Sequence, residues 1–555
     1  MSDHYAMTGP ASRSWSPSDE ERRRYVEQGW WSSVALGELV RQRAAAMSDR
    51  IAYIGGGAQL SWAQYDAAGD RLAGQFVAAG LAPGSPVAVY LPDGPWLHAV
   101  YLACERAGLV IVGIPERAGD RELAHLVART EAAMLICMAV HRGRTAAQLA
   151  DTLAAAGSSV RLVGELDADG ALLVRSHDGT TLPAAEPVSL DGRAVGPGDL
   201  WLLNSTSGTT GLPKCVRQTQ NRWFYLLRIA ERASRLSGAD VFMSLVPGPF
   251  GFGLWSAHFA PVVFGAPCLH LDRFHADTAL RAVAEHRVSV LACVTTQFQL
   301  MLSSPLIDEL DLSSLRVLYT GGEAVPAERA REWERRTGST VLQFYGSNEI
   351  GPFSCTALTD SDELRLSTVG RIVDGLEVTI YDEDGRDITA TGGPGQPGGR
   401  GPGLVGGGYW NDDEANAALY GADGSLLMPD LVTIDEAGYV RIVGRKSDII
   451  IRGGKNISAA SVEADVASHP AVDMVAALPV HDAVFGERVC AVVSLRDRSG
   501  TLTLPDLVEF LTARGVSKEY FPEYLVIVDE MPQSMGAKIA KSELKARLTE
   551  LFARS

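Results

Sequence analysis

The chain has 555 residues, 46% hydrophobic and 21% charged, which allows several domains around a large core and excludes a disordered chain. Acidic side chains outnumber basic ones 67 to 50, and the net charge of −17 repels phosphate backbones and anionic lipid, so neither nucleic acid nor a membrane is the expected partner. Seven scattered cysteines without a C-x-x-C pair, no secretory leader and no long apolar run point to reduced thiols, no zinc cluster, no membrane span and a cytoplasmic setting.

In chain order, residues 1 to about 14 read as a mobile tail, and Ser16-Pro17 with Asp19 as the cap, first-turn proline and acidic first turn of a helix through EERRRYVEQ. From about 60 to 165, helical stretches such as WAQYDAAGDRLAGQFVAAG alternate with the short apolar runs VAVYL (87–91) and LVIVGI (109–114). The alternation recurs from 196 to 350, with VSVLACV (288–294) and RVLYTGG (316–322). Such βα repetition predicts a mainly parallel sheet covered on both faces, here in two related layers.

Residues 392–408 hold ten glycines and three prolines in seventeen positions, the composition of a flexible linker. Strand-like LEVTIYDEDG before it and GYVRIVG after it favour a glycine-rich crossing inside a small β subdomain. The chain changes character at Gly444-Arg445-Lys446-Ser447-Asp448, and the remainder alternates helices and strands. The expected fold is therefore α/β: a large N-terminal domain of layered, mainly parallel sheets with a small β subdomain (1–444), and a smaller, mobile α+β C-terminal domain (445–555).

The strongest chemical signal is Asn204 to Lys214, NSTSGTTGLPK, after the apolar WLL of 201–203. Small hydroxyl and glycine residues let backbone N–H groups approach phosphate oxygens, and a lysine adds a point charge. The spacing is not that of a Walker A loop.

This string closely resembles the phosphate loop of the acyl-adenylate-forming (ANL) superfamily, which contains acyl- and aryl-CoA ligases, peptide-synthetase adenylation domains and firefly luciferase. Further motifs follow in order: PGPFGFG (247–253) resembles the aromatic substrate loop, Gly321-Gly322-Glu323 the adenine-side turn, and Tyr345-Gly346-Ser347-Asn348-Glu349 the Y-G-x-T-E motif. Gly408-Tyr409-Trp410, Asp430, Gly444-Arg445, Arg452 to Ile457 and PQSMGAK (532–538) match the rest, so the similarity spans about 16 to 550. The N-terminal stretch looks most like the aryl-acid-activating members.

The resemblance implies that a carboxylate attacks the α-phosphate of ATP, a reaction between two anions whose catalysis is positioning and charge neutralisation. It places Thr206, Ser207, Gly208, Thr209, Thr210, Gly211 and Lys214 on the phosphates, with Gly322, Glu323, Tyr345 and Asn348 around the nucleotide. Glu349 would hold Mg²⁺, Asp430 the ribose hydroxyls with Arg445 beside it, and Lys538 would bridge the carboxylate and the α-phosphate. Phe250, Gly251, Gly321, Gly346 and Ser347 would line the acid pocket. In a second step the C-terminal domain would rotate and bring the Gly453-Gly454 loop beside the thiol arm of CoA or of a carrier-protein phosphopantetheine.

Some positions depart from the pattern: Cys215 for glycine, Asn348 for threonine, Met428-Pro429 before Asp430, Ser447 at the hinge and Ala537 before Lys538. Gly251 carries neither the aspartate that binds an amino acid's amine nor the asparagine of dihydroxybenzoate enzymes, so the flat walls of Phe250 and Phe252 favour an aromatic or alicyclic acid, with a fatty acid second. Seventeen residues follow Lys538, too few for a carrier domain, so the thiol is expected from free CoA or a carrier in trans. Alternatives are aryl loading of a carrier protein, diazotisation of an aryl amine with nitrite, and a non-catalytic nucleotide-binding homologue. Either a monomer or a homodimer fits.

Overall fold

In the computed structural model, which describes residues 17–182, 188–205, 212–323, 325–445, 449–452, 455–482, 486–497, 499–533 and 538–552, the apolar runs of the first 355 residues become two sheets. Seven strands in the order Cys215–Gln218, Leu202–Ser205, Val110–Gly113, Pro86–Tyr90, Met134–Met138, Leu162–Leu166 and Leu172–Ser176 form one, parallel in its centre with an antiparallel strand at each edge. Nine form the other, parallel from Thr340–Ser347 through Val317–Gly321, Val290–Ala292, Phe242–Ser244 and Cys268–Leu269 to Ile51–Gly55. Buried strands of this kind need no polar face, which is why they read as continuous apolar runs rather than as alternation.

The largest core cluster contains Trp62, Tyr65, Trp201, Tyr225, Trp255 and Tyr319, all essentially inaccessible. Helix Gln220–Ser234 lies in this core, and its first eight residues are all buried. The N-terminal segment is fastened to the same helix and to the glycine-rich segment: Leu36 N–H donates to Gln220 Oε1 at 2.8 Å, and Trp31 Nε1 to the Pro402 carbonyl at 3.1 Å.

Two sequence-level readings are refined. The first helix is Asp19–Glu27, capped by Ser18 rather than Ser16, because only Ser18 has a glutamate three residues on: Glu21 N–H donates to Ser18 Oγ, and Ser18 N–H to Glu21 Oε2. The tail before residue 17 lies outside the described residues. The glycine-rich segment is a strand, Gln396–Arg400, between Glu377–Tyr381 and Leu426–Leu427. Glycine is needed here for packing, since a Cβ on Gly398 would sit 2.9 Å from the Tyr381 ring and 3.0 Å from Leu427.

Beyond the hairpin of Asp430–Ile434 and Val440–Arg445, a smaller domain carries five strands and the helices Ala459–Ala467, Leu504–Ala513 and Lys541–Phe552. It docks on the larger domain through Arg329, whose Nη2 donates to the Val472 carbonyl at 3.1 Å, and through Ile539 N–H, which donates to Glu323 Oε1 at 3.3 Å. All seven cysteines are free thiols buried in the core. Among the described residues no helix is long and apolar enough to cross a membrane.

Candidate active site

Parallel strands end in loops at one edge, and the motif residues collect there. Lys214 precedes the edge strand Cys215–Gln218, and Tyr409 lies on the neighbouring segment, where Trp410 N–H donates to the Cys215 carbonyl at 2.7 Å and Arg217 N–H to that of Gly408 at 2.9 Å. The Lys214 ammonium stands 4.7 Å from the Tyr409 ring centroid, and the Tyr409 hydroxyl donates to Glu349 Oε1 at 2.8 Å. Tyr409 thus connects the phosphate-loop lysine to the carboxylate expected to hold the metal. Its hydroxyl is held protonated, chiefly by burial and then by the adjacent Glu349 charge, both of which disfavour a phenolate.

Glu349 is the middle residue of a three-residue turn, 348–350, between strands Thr340–Ser347 and Gly351–Cys355. The turn is tight: a Cβ on Gly346 would overlap the Gly351 carbonyl, and the Ser347 hydroxyl accepts Ile350 N–H at 3.2 Å. Asn348 faces the acid loop, its Oδ1 accepting Gly251 N–H at 3.0 Å and Asn204 Nδ2 at 3.2 Å. A side chain at Gly251 has no room, because its Cβ would stand 2.7 Å from both Asn348 Oδ1 and the Trp223 ring. Phe250 is buried beside it, and Phe252 packs against Trp255 on the π-helical turn Leu254–Phe259.

The residues expected at the ribose are also brought together. Tyr345 donates its hydroxyl to Asp430 Oδ2 at 2.8 Å, and Arg445 is the register partner of Asp430 across the hairpin. From the smaller domain, Lys538 reaches the adenine-side turn: a Cβ on Gly322 would lie 2.8 Å from Lys538 Nζ, and Gly322 itself adopts φ +78°. The neighbouring Gly321 is packed against the Phe344 backbone. Glu323 turns its carboxylate to Thr296 N–H (3.1 Å) and Ile539 N–H (3.3 Å) and so holds the two domains together; burial raises its carboxyl while the Lys538 charge opposes the rise.

The expected phosphate-loop residues Thr206, Ser207, Gly208, Thr209, Thr210 and Gly211, the thiol-arm glycines Gly453 and Gly454, and the departures at Ser447 and Ala537 lie outside the described residues. Two other departures are packing choices. Cys215 sits in the core with its thiol pushed up to about 12 by burial, and Met428 is buried under the β subdomain.

Several contributors were not singled out from sequence. Gln218 Nε2 donates both to Asn204 Oδ1 (3.0 Å) and to the Asn348 carbonyl (2.9 Å), and Asp93 Oδ1 accepts Gly248 N–H at 2.6 Å behind the acid loop. Arg222 donates to the carbonyls of Asn348 and Glu349. The visible signal was a cation inside the apolar run NRWFYLL, a placement that requires burial with partners.

The donor set suits a magnesium nucleotide. Tyr409 holds one oxygen of Glu349, leaving a hard carboxylate oxygen for a cation, and Ser205 Oγ, at the entrance to the loop, is buried with no hydrogen-bond partner among the described residues.

A family model described as "AMP-binding enzyme" matches residues 40–410, and one described as "AMP-binding enzyme C-terminal domain" matches 461–538. The chain is 31% identical over 541 residues to the medium-chain fatty-acid–CoA ligase of Escherichia coli, covering 96% of this chain and 94% of that one. It is 29% identical to the 2,3-dihydroxybenzoate-AMP ligase of Bacillus subtilis, covering 96% and 97%. Among solved structures, ATP-bound MatB from Rhodopseudomonas palustris superposes with a TM-score of 0.78 at 26% identity, covering 93% of this chain and 99% of that one.

Proposed function

Since the chain belongs to the AMP-binding enzymes, of the acyl-adenylate-forming superfamily, and is thus an AMP-forming acid–thiol ligase, we propose that it activates an aromatic or alicyclic carboxylic acid with ATP and transfers the acyl group to CoA. In the first step a carboxylate oxygen attacks the α-phosphorus, the bond to the β-phosphate oxygen breaks, and acyl adenylate and pyrophosphate result. In the second, a thiol sulfur attacks the acyl carbonyl, the carboxyl–phosphate bond breaks, and thioester and AMP leave.

The observation that carries the reading is Lys538, brought from the smaller domain to Gly322 at the nucleotide-side turn. Its ammonium neutralises charge as the two anions meet. Lys214 and residues 206–211 hold the β and γ phosphates, while Asp430, with Tyr345 and Arg445, holds the ribose. Glu349 would hold Mg²⁺, which would draw charge from the phosphate oxygens. For the second step, Gly453 and Gly454 border the thiol arm after rotation about a division at Gly444 and Arg445, the last two residues of the hairpin strand Val440–Arg445, ahead of the first strand of the smaller sheet.

Phe250, Phe252 and Trp255 support a flat, apolar acid, and the dihydroxybenzoate-AMP ligase relative supports an aryl one. We place the reaction in the cytosol. The test is pyrophosphate release from ATP and Mg²⁺ over aryl, alicyclic, fatty and amino acids, and over nitrite with an aryl amine, with and without CoA. Release with aryl or alicyclic acids and a thioester mass with CoA is expected; release only with fatty acids, only with nitrite, or with an acid but no CoA consumption would overturn the reading.

A further inference from the structure

Arg222 is 2% exposed, in the first turn of the helix Gln220–Ser234, and faces no carboxylate at hydrogen-bond distance among the described residues. Four of its N–H groups instead go to main-chain carbonyls: Nε to Gly403 at 2.8 Å, Nη1 to Arg217 at 2.9 Å, and Nη2 to both Asn348 at 3.1 Å and Glu349 at 2.7 Å. These carbonyls belong to three separate segments of the site: the strand after Lys214, the glycine-rich segment leading to Tyr409, and the turn bearing Glu349. One planar fork on a rigid helix fixes all three, which the compact ammonium of lysine cannot do.

We propose that Arg222 is a positioning residue that holds the Glu349 turn in its cation-binding geometry and so sets how tightly the enzyme takes up magnesium with ATP. The inference rests on the reading of Glu349 as the metal carboxylate. Consecutive carbonyls at 348 and 349 converge on one nitrogen, so the backbone of the turn is pinned directly beneath the carboxylate. The cation there also lies close enough to interact with the Glu349 charge. Support behind a metal ligand acts on metal affinity through ligand orientation. Asp430, Tyr345 and Lys538 are not among the hydrogen-bond partners of Arg222 within the described residues.

The experiment compares Arg222→Met and Arg222→Lys with the parent by three readouts: the Mg²⁺ concentration for half-maximal pyrophosphate release, ATP binding by calorimetry with Mg²⁺ or with chelator, and amide exchange across residues 345–351. For Arg222→Met the half-saturating Mg²⁺ should rise about 10- to 100-fold. The gain in ATP affinity from Mg²⁺ should disappear while chelator affinity holds within about 3-fold, exchange at 345–351 should accelerate, and the acid KM should stay within about 3-fold. Arg222→Lys should recover part of each effect, and it alone is read should the methionine variant not fold. An unchanged Mg²⁺ requirement in a folded variant, or equal losses in acid KM, chelator affinity and Mg²⁺ response, overturns the proposal. Glu349→Gln separates the two levels: if it too leaves the Mg²⁺ requirement unchanged, the metal reading of Glu349 has failed, whereas a shift there without one at Arg222 overturns only the role of Arg222.

Discussion

Asn348 Oδ1 accepts the backbone N–H of Gly251 at 3.0 Å, joining the nucleotide-side turn to the acid loop. Two of the positions singled out from the sequence, Gly251 and Asn348, thus meet in one contact. Asn348 and Trp223 fill the space that a side chain at 251 would occupy.

Gly251→Ala consequently meets two groups at once, each 2.7 Å from the new Cβ, and Trp223 is buried. We expect a loss of about 1–3 kcal/mol in stability and a raised KM for the acid, with little change in KM for ATP. Denaturant melts and initial rates check it. In Asn348→Ala the Gly251 N–H loses its partner while the collision is eased, so the double variant should lose less than the sum of the two singles.

Lys538 and Glu323 Oε1, on either side of Ile539 N–H, fasten the smaller domain over the nucleotide-side turn. Lys538→Ala should lower acid-dependent pyrophosphate release by about 100-fold or more, since a charge present at the reacting groups is removed. Thioester formation from supplied acyl adenylate should keep most of its rate if, as proposed, the lysine serves the first step alone. Loss of both rates to the same extent would place Lys538 in scaffolding instead.

Much of this arrangement was readable before the structure. Tyr345 to Glu349, Asp430 and Lys538 were singled out by their motifs, and the structure brings Tyr345 to Asp430 and Lys538 to Gly322, whereas phosphate-loop residues 206–211 lie outside the described residues. The sheets were readable too, because parallel strands are uniformly apolar. What could not be read depends on backbone partners: Arg222 and Gln218 act on main-chain carbonyls, which every residue has, so no residue type at the other end marks the contact. The cap at Ser18 could have been found from Glu21 three residues on. Gly321 and Gly346 read as pocket linings by motif, and their structural requirement is close packing of strand against strand, a long-range fact.

Tyr409 makes two separable contributions: a ring face for Lys214 and a hydroxyl for Glu349. Tyr409→Phe keeps the first and removes the second, so adenylation should fall by roughly 10- to 150-fold, the cost of one hydrogen bond to a charged group. Tyr409→Leu removes both, and its deficit should be larger and shared between KM for ATP and the Mg²⁺ response. Equal rates in the two variants would mean that only the hydroxyl matters.

Buried groups of opposite sign shape the pH response of stability, Glu105 and a cluster of histidines among them. Glu105, 1% exposed, accepts Gly37 N–H at 2.7 Å, and burial raises its carboxyl from 4.5 to about 7. A raised folded value means that its contribution is fully present below pH 4.5 and is lost as pH climbs through 7. His98 joins His258 and His270 through ring nitrogens 3.1 Å apart, and burial lowers His258 to about 3 and His270 to about 4. Their contribution is present above the ordinary 6.5 and is lost as pH falls toward 4, so between 4.5 and 6.5 the two drifts oppose each other. Glu105→Gln keeps an acceptor for Gly37 and removes one drift. Relative to the parent it should be more stable at pH 8 and no more stable at pH 4, and its acid-side loss should be steeper by up to about 1.4 kcal/mol per pH unit. Urea melts from pH 4 to 8 measure this directly, and a constant offset at every pH would show that Glu105 titrates alike in the folded and unfolded protein, overturning the raised folded value.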